Sequence, residues 1–299
     1  MTLFKREIPP QVIRLSLIAL IIIAITSFKM ISANLIKAKI DKILGANKEY
    51  VSYSDVSMYL FGFDVHIDGV KVNFPYQKPL IVNEIIVKSF DTQNAVPLYM
   101  NIRLKGVQSD LATLRSNPNF ATTLNELDIK EIKSDIRVDY AYEKESKMLD
   151  VKELSINVEK LGKLNYQTQL YNVVAMAYFP LQLNLAPQTL KFGATVLHYE
   201  NSSLVERYMQ MYAKDANLSL EGYKADLFKR NEAKIDMAKK SSQKYETLLD
   251  ETWLAFLKNP KTFDFKIAPS QPVSLISIGN KNSRDDLLKT LNFSVSANE

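Results

Sequence analysis

A chain of 299 residues, 46% of them apolar, has enough material for a large hydrophobic core and is not intrinsically disordered. It contains no cysteine, which excludes disulfide frameworks, thiolate metal sites, iron–sulfur clusters and cysteine nucleophiles together. The net charge of +5 is concentrated at the start, where residues 1–48 hold Lys5, Arg6, Arg14, Lys29, Lys37, Lys39, Lys42 and Lys48 against Glu7 and Asp41; the near-neutral remainder argues against a nucleic-acid partner.

Between Arg14 and Lys29 the run LSLIALIIIAITSF carries no charge. Val12, Ile13, Met30 and Ile31 extend it toward the roughly 20 residues that a membrane-crossing helix needs, and Arg14 can snorkel. The expected membrane anchor is Leu15, Leu17, Ile18, Leu20, Ile21, Ile22, Ile23, Ile25 and Phe28. A cleaved signal peptide would occupy the same place, with cleavage after Ala33. An uncleaved signal-anchor is the expectation, because an apolar stripe continues at helical spacing through Leu35, Ile36, Ile40, Ile43 and Leu44 to Gly45. Lysines and arginines flank both ends of the run, so the positive-inside count does not set its orientation. The short basic tail before a first apolar helix places the large domain outside the cytoplasm.

From Tyr50 the pattern changes to alternation. The stretches VSYSDVSMYL, DVHIDGVKVNF, LIVNEIIVKSF and LYMNIRLKGV read as strands, punctuated by Gly62, Gly69 and the segment from Pro75 to Pro79. A helical insertion, DLATLRSNPNFATTLNEL, interrupts them. Three further strands follow as an antiparallel meander: Ile136, Val138, Tyr140 and Tyr142; Leu154, Ile156 and Val158; Leu164, Tyr166, Thr168 and Leu170. EKES and KLGK supply the turns, and LKFGATVLHYE is expected to close the sheet.

A helix-rich section is expected at about 202–258. Ser203 with Glu206 reads as a capping box, and a long helical segment from Leu220 to Lys258 has a break at Ser241 and Ser242. Tyr245, Leu248, Leu249, Trp253, Phe256 and Leu257 share one helix face, which makes Trp253 a core residue. Pro260 stops the helix, since the residue before a proline is pushed out of the α region. Phe263, Phe265 and Ile267 then form a strand limited by Pro269 and Pro272, as at a sheet edge. Asp285 and Asp286 follow the capping residue Ser283 and suit the dipole of a short helix.

Together these elements give an α+β fold: an N-terminal transmembrane helix, then a large, mostly antiparallel sheet with a C-terminal helical section packed on it. The domains are 1–48, anchor and juxtamembrane helix, and 49–299, a single α+β domain.

Signs of chemistry are sparse. His66 and His198 are the only imidazoles; both lie in strands, and a joint metal site with Asp68 would need them to meet in space. There is no G-x-S-x-G elbow, Walker A loop or G-x-G-x-x-G turn. No catalytic residue, metal or cofactor is expected, and the protein is not expected to be an enzyme. The sheet carries the functional potential: an uncovered apolar face would form a groove for acyl chains, whereas a face covered by helices would be plain core.

The run from Gly193 to Leu227, with LAFLKNPKTFDFKIAPSQPVSL and LLKTLNFSVSAN, resembles a C-terminal module of uncharacterised bacterial envelope proteins. The resemblance is carried by Ser203, Leu204, Glu206, Arg207, Phe256, Leu257, Pro260, Pro269, Pro272, Leu287, Leu288, Leu291 and Val295, over about the last hundred residues. The anchor followed by YSDVSMYLFGFDVHIDGVKVNFP looks like the start of AsmA-like and YdgA-like proteins. The resemblance implies a bacterial inner-membrane protein, single-pass, with a sheet-rich domain in the periplasm. The AsmA-like group is associated with lipid transport and envelope homeostasis, mostly through much longer members; this chain is too short to bridge two membranes alone. The expected function is lipid binding or assistance to envelope lipid and protein homeostasis, with the bilayer, lipids and envelope proteins as partners. The alternative is a structural or scaffolding subunit of an envelope complex with no ligand.

Overall fold

The computed structural model describes residues 49–58, 64–74, 77–91, 93–94, 96–110, 118–274, 276 and 283–299. The expected anchor from Leu15 to Phe28, the stripe that follows it, Gly62, Pro75 and the first part of the helical insertion lie outside these residues. No helix among the described residues is long and apolar enough to cross a membrane.

The alternating stretches form the strands β1 (Val51–Ser52), β2 (Asp55–Met58), β3 (Val65–Phe74), β4 (Gln77–Phe90), β5 (Tyr99–Asp110), β6 (Glu131–Glu143), β7 (Met148–Val158), β8 (Gly162–Tyr171) and β9 (Lys191–Asn201). Further along the chain come β10 (Thr262–Ile267), β11 (Val273–Ser274) and β12 (Phe293–Ala297). All belong to one antiparallel sheet in the order β1-β3-β4-β5-β6-β7-β8-β9-β10-β12, with β2 also on β3 and β11 also on β9. The helices are α1 (Pro118–Glu126), α2 (Phe179–Leu185), α3 (Leu204–Asp215), α4 (Leu220–Lys240), α5 (Lys244–Lys258) and α6 (Arg284–Thr290).

The sheet is α+β in class and antiparallel as expected, but β9 does not close it. β10 pairs with β9 on one side and β12 on the other, so the strand of Phe263, Phe265 and Ile267 is interior. Pro269 and Pro272 lie beyond its end, where neither removes a ladder donor.

Strand alternation sorts the sheet into an apolar and a polar face. Cross-strand register sets Ile67, Ile85, Leu104, Ile136, Ile156 and Leu164 in one apolar row, and Val65, Val87, Ile102, Val138, Leu154 and Tyr166 in the next. Over β3 and β4 this face is sealed: Ile67 and Ile85 are fully buried with Val51, Val70 and Val72. Two glycines at positive φ adapt the strands. Gly69, at φ +60°, sits where the edge passes from β1 to β2 without a change of register, and a Cβ there would meet Ser54 Oγ at 2.6 Å. Gly106, at φ +58°, breaks the β5–β6 register between Leu104 and Val107, and its N–H donates to Asp135 Oδ1 at 2.8 Å.

The helices gather on the C-terminal strands. α4 and α5 form an antiparallel pair across the expected break, where Ser242 adopts φ 56°. Lys234–Asp250, Lys239–Glu251 and Lys258–Glu232 ion pairs join them. α5 packs on β10 and β12, with Phe256 at the centre of an aromatic group that includes Tyr199, Trp253 and Phe263. Trp253 is 41% exposed and so is not the core residue expected; the apolar arc of α5 is wider than the surface it covers, and Trp253 lies on its rim with one ring edge against Phe263.

Two capping expectations are refined. Ser283 caps α6 by accepting from Asp286 N, but Asp285 turns away and accepts from the N–H groups of Tyr245 and Glu246 at the start of α5. Ser203 makes no side-chain cap bond. Its hydroxyl donates to Lys160 O, while Asn201 Oδ1 accepts from Val205 N and Asn201 Nδ2 donates to Glu206 Oε2.

Candidate functional site

The connection from β8 to β9 shows no period that marks an element in the sequence, yet it carries the largest run of exposed apolar side chains among the described residues. Between Lys163 and Lys191 the chain has no charged residue. Residues 172–190 fold back as a short 3-10 turn (Met176–Tyr178), α2 and a second 3-10 turn (Pro187–Thr189). Pro180 and Pro187 sit in the first turns of α2 and the second 3-10 turn, where a missing N–H costs nothing.

The inner side of this tip packs on the sheet end: Val173 and Leu190 are fully buried with Tyr142, Leu149 and Leu170. A buried glutamine locks it. Gln182 Nε2 donates to Asn172 O at 2.8 Å and Thr189 Oγ1 at 2.9 Å, and Gln182 Oε1 accepts from Val174 N at 3.0 Å. Tyr142 OH donates to Val173 O at 2.9 Å. The outer side is left bare: Val174, Tyr178, Leu181, Leu183 and Leu185 are all exposed, Leu185 by 72%. Five large apolar side chains exposed within residues 174–185 are more than water alone favours.

The tip lies at the end of the sheet where β3 begins and β8 ends. Val51, where the described chain enters the sheet, pairs near the other end of β3, with Val72. The two points are separated along the strands by roughly 40 Å at about 3.3 Å per residue. The packed base of the tip continues into the apolar face of β6 to β9, where Val138, Leu154, Ile156, Leu164 and Leu197 are only partly buried. Beyond them α1 and α3 cap the opposite end through Leu124, Leu127, Leu161 and Tyr208.

The polar face is a field of charged and amide side chains. His66 and His198 both lie on it, in one cross-strand row that runs His66, Ile86, Arg103, Arg137, Ser155, Asn165, His198, Asp264. Six strand spacings separate the two imidazoles, about 29 Å along the sheet, so they do not meet. His66 pairs with Glu84, which also takes Lys105 at 2.6 Å. That lysine bond holds the Glu84 carboxyl below its ordinary range. His198 Nδ1 is 2.7 Å from Asp264 Oδ1, and its Nε2 is 3.2 Å from Glu200 Oε1. The Asp264 bond raises the imidazole pKa, and Lys163 in turn lowers that of Glu200. Among the described residues no cluster of three or more histidines and carboxylates is placed to hold a metal ion.

A family model described as "Uncharacterized protein" matches residues 155–298, from within β7 through β12. No curated protein matches the chain.

Proposed function

We propose that the protein is a single-pass protein of the bacterial inner membrane whose sheet domain faces the periplasm and engages lipid, without catalysing a reaction. The exposed apolar tip carries this reading: Tyr178, Leu181 and Leu185 stand out from a segment free of charge, the composition of surfaces that enter an acyl environment. The partly buried apolar face behind the tip supplies a continuous lining for an acyl chain. The charge-free run from Leu15 to Phe28 supplies the anchor, and the resemblance to AsmA-like proteins points to the same surroundings.

The test is native mass spectrometry of the full chain released from detergent. Retained lipid in the wild type and its loss in Leu181→Glu with Leu185→Glu is the expected result; both side chains are exposed, so the fold tolerates the charges. Equal lipid in the double variant, or none in the wild type, overturns the proposal.

A scaffolding role is the second reading, favoured by the position of β12 at the end of the strand order, with one edge unpaired among the described residues and so suited to strand addition. In that case crosslinks from Ser294 and Ser296 to another envelope protein, unaffected by the tip variants, are expected.

A further inference from the structure

Arg103 on β5 and Arg137 on β6 are directly opposed across the ladder, on the polar face. Like charges in direct cross-strand opposition repel, so this arrangement needs compensation. The protein supplies little of it. The nearest carboxylate to Arg103 is Asp135 Oδ2 at 3.7 Å from Nη2, and the other Asp135 oxygen is committed to Gly106 N. Arg137 Nη1 is 3.5 Å from Glu153 Oε1. Both separations exceed the roughly 2.7–2.9 Å of a charge-assisted hydrogen bond. Arg103 Nε is buried and has no hydrogen-bond partner among the described residues.

The pair stands at the border of two concavities in the polar face, of about 440 and 330 Å³, and lines both. The larger falls within the size range of small-molecule sites, about 300–1,000 Å³. Its lining carries four cations, Arg103, Arg137, Lys152 and Lys163, against the carboxylates of Asp135 and Glu153. Lys163 is engaged by Glu200 at 3.0 Å, so three cations remain against two carboxylates, a surplus of one positive charge with both carboxylates only loosely set beside the arginines. Next to that pair the larger concavity presents Ser155, Asn157, Asn165 and Gln167. Ser155 is 95% buried by the fold, its residue only 5% accessible, and it opposes Arg137 directly.

We infer that this concavity is a binding site for a phosphorylated, hydroxyl-rich small molecule, with the phosphoryl group on Arg103 and Arg137 and the hydroxyls toward Ser155, Asn165 and Gln167. Planar guanidinium forks suit an anion with several oxygens, and a dianion between two opposed arginines removes their repulsion. The uncharged amides and the serine hydroxyl match a polyol or sugar, and Val196 is the one aliphatic side chain among the described lining residues. The site lies on the face opposite the apolar rows, so it is independent of the lipid reading.

The experiment is calorimetric titration of the full chain in phosphatidylcholine nanodiscs with glucose 6-phosphate, inorganic phosphate and glucose, at low salt. Saturable binding of glucose 6-phosphate, tighter than either fragment, is expected. Arg103→Gln and Arg137→Gln should each weaken it about tenfold or more, the size of a lost hydrogen bond to a charged group. Arg137→Gln should do so without lowering the melting temperature, since it also removes the like-charge contact; a merely structural arginine would show the reverse. Equal binding of inorganic phosphate and the sugar phosphate overturns the proposal. So does unchanged affinity in both arginine variants, or a response only when phosphatidylglycerol is added to the discs, which would assign the arginines to lipid headgroups.

Discussion

His198 and Asp264 face each other across β9 and β10, imidazole Nδ1 to carboxylate Oδ1 at 2.7 Å, although 66 residues separate them in the chain. This bond, with a smaller contribution from Glu200, raises the His198 pKa above the ordinary 6.5. A raised folded-state pKa means that the imidazolium stabilises the fold fully at pH values below the unfolded pKa. The stabilisation fades as pH rises through the folded value. Chemical denaturation of the wild type should therefore show a loss of stability as pH rises from the ordinary imidazole value through the raised one, absent in His198→Gln. NMR titration of the ring protons should give a lower pKa in Asp264→Asn. An unchanged imidazole titration in that variant would remove the pair as the cause.

Phe256 is 1% exposed and holds Tyr199, Trp253 and Phe263 around it, joining α5 to the sheet. Phe256→Ala should cost about 3–5 kcal/mol, the range for a large aromatic truncated in a core. Trp253→Ala should cost clearly less despite the larger side chain, because its outer part remains in water. Urea midpoints of the two variants measure the order; a larger loss for Trp253→Ala would mean that α5 is rotated from the arrangement described.

The contrast between these two residues shows where sequence reasoning ended. Alternation through Ile136 to Leu170 was legible because each of those strands sends apolar side chains to one face and polar ones to the other, and Ser241–Ser242 was legible as a helix break. Helical spacing marks Trp253 and Phe256 as one face but does not say how wide a surface that face meets. The strand of Phe263, Phe265 and Ile267 was legible from its alternation, but its pairing with both β9 and β12 joins residues far apart in the chain, so its interior place in the sheet left no local sign. The tip was missed because Val173 to Leu190 follows neither period. Its signal was instead the absence of charge from Leu164 to Leu190, in a chain that is 24% charged overall. The arginine pair was invisible for a different reason: it depends on the β5–β6 register, which the Gly106 bulge shifts.

Gln182 is the buried pin of the apolar tip, with three hydrogen bonds to the segments on either side of α2. Gln182→Ala leaves Val174 N, Asn172 O and Thr189 Oγ1 without these partners. A loss of about 1–3 kcal/mol is expected, the usual cost of stranding buried polar groups. The effect should be local: hydrogen exchange should accelerate at Val174 and across α2, with β6 to β8 protected as before. Unaltered exchange at Val174 would mean that packing of Val173 and Leu190 alone fixes the tip.

Asn201, rather than Ser203, ties the helical section to the sheet. Its Oδ1 accepts from Val205 N and Tyr199 OH, and its Nδ2 donates to Glu206 Oε2 and to Pro260 O, so one amide joins the end of β9, the first turn of α3 and the junction between α5 and β10. Burial, with the nearby Glu206 carboxylate, pushes the Tyr199 hydroxyl up to about 12, which keeps it protonated as a donor to Asn201. Asn201→Ala removes all four bonds and should destabilise by about 1–3 kcal/mol. Ser203→Ala loses the bond to Lys160 O and the one accepted from Arg207, both at a more exposed place, and should cost less. Thermal melts of the two single variants decide between them: a larger loss for Ser203→Ala would restore the capping box that the sequence suggested and displace Asn201 from this role.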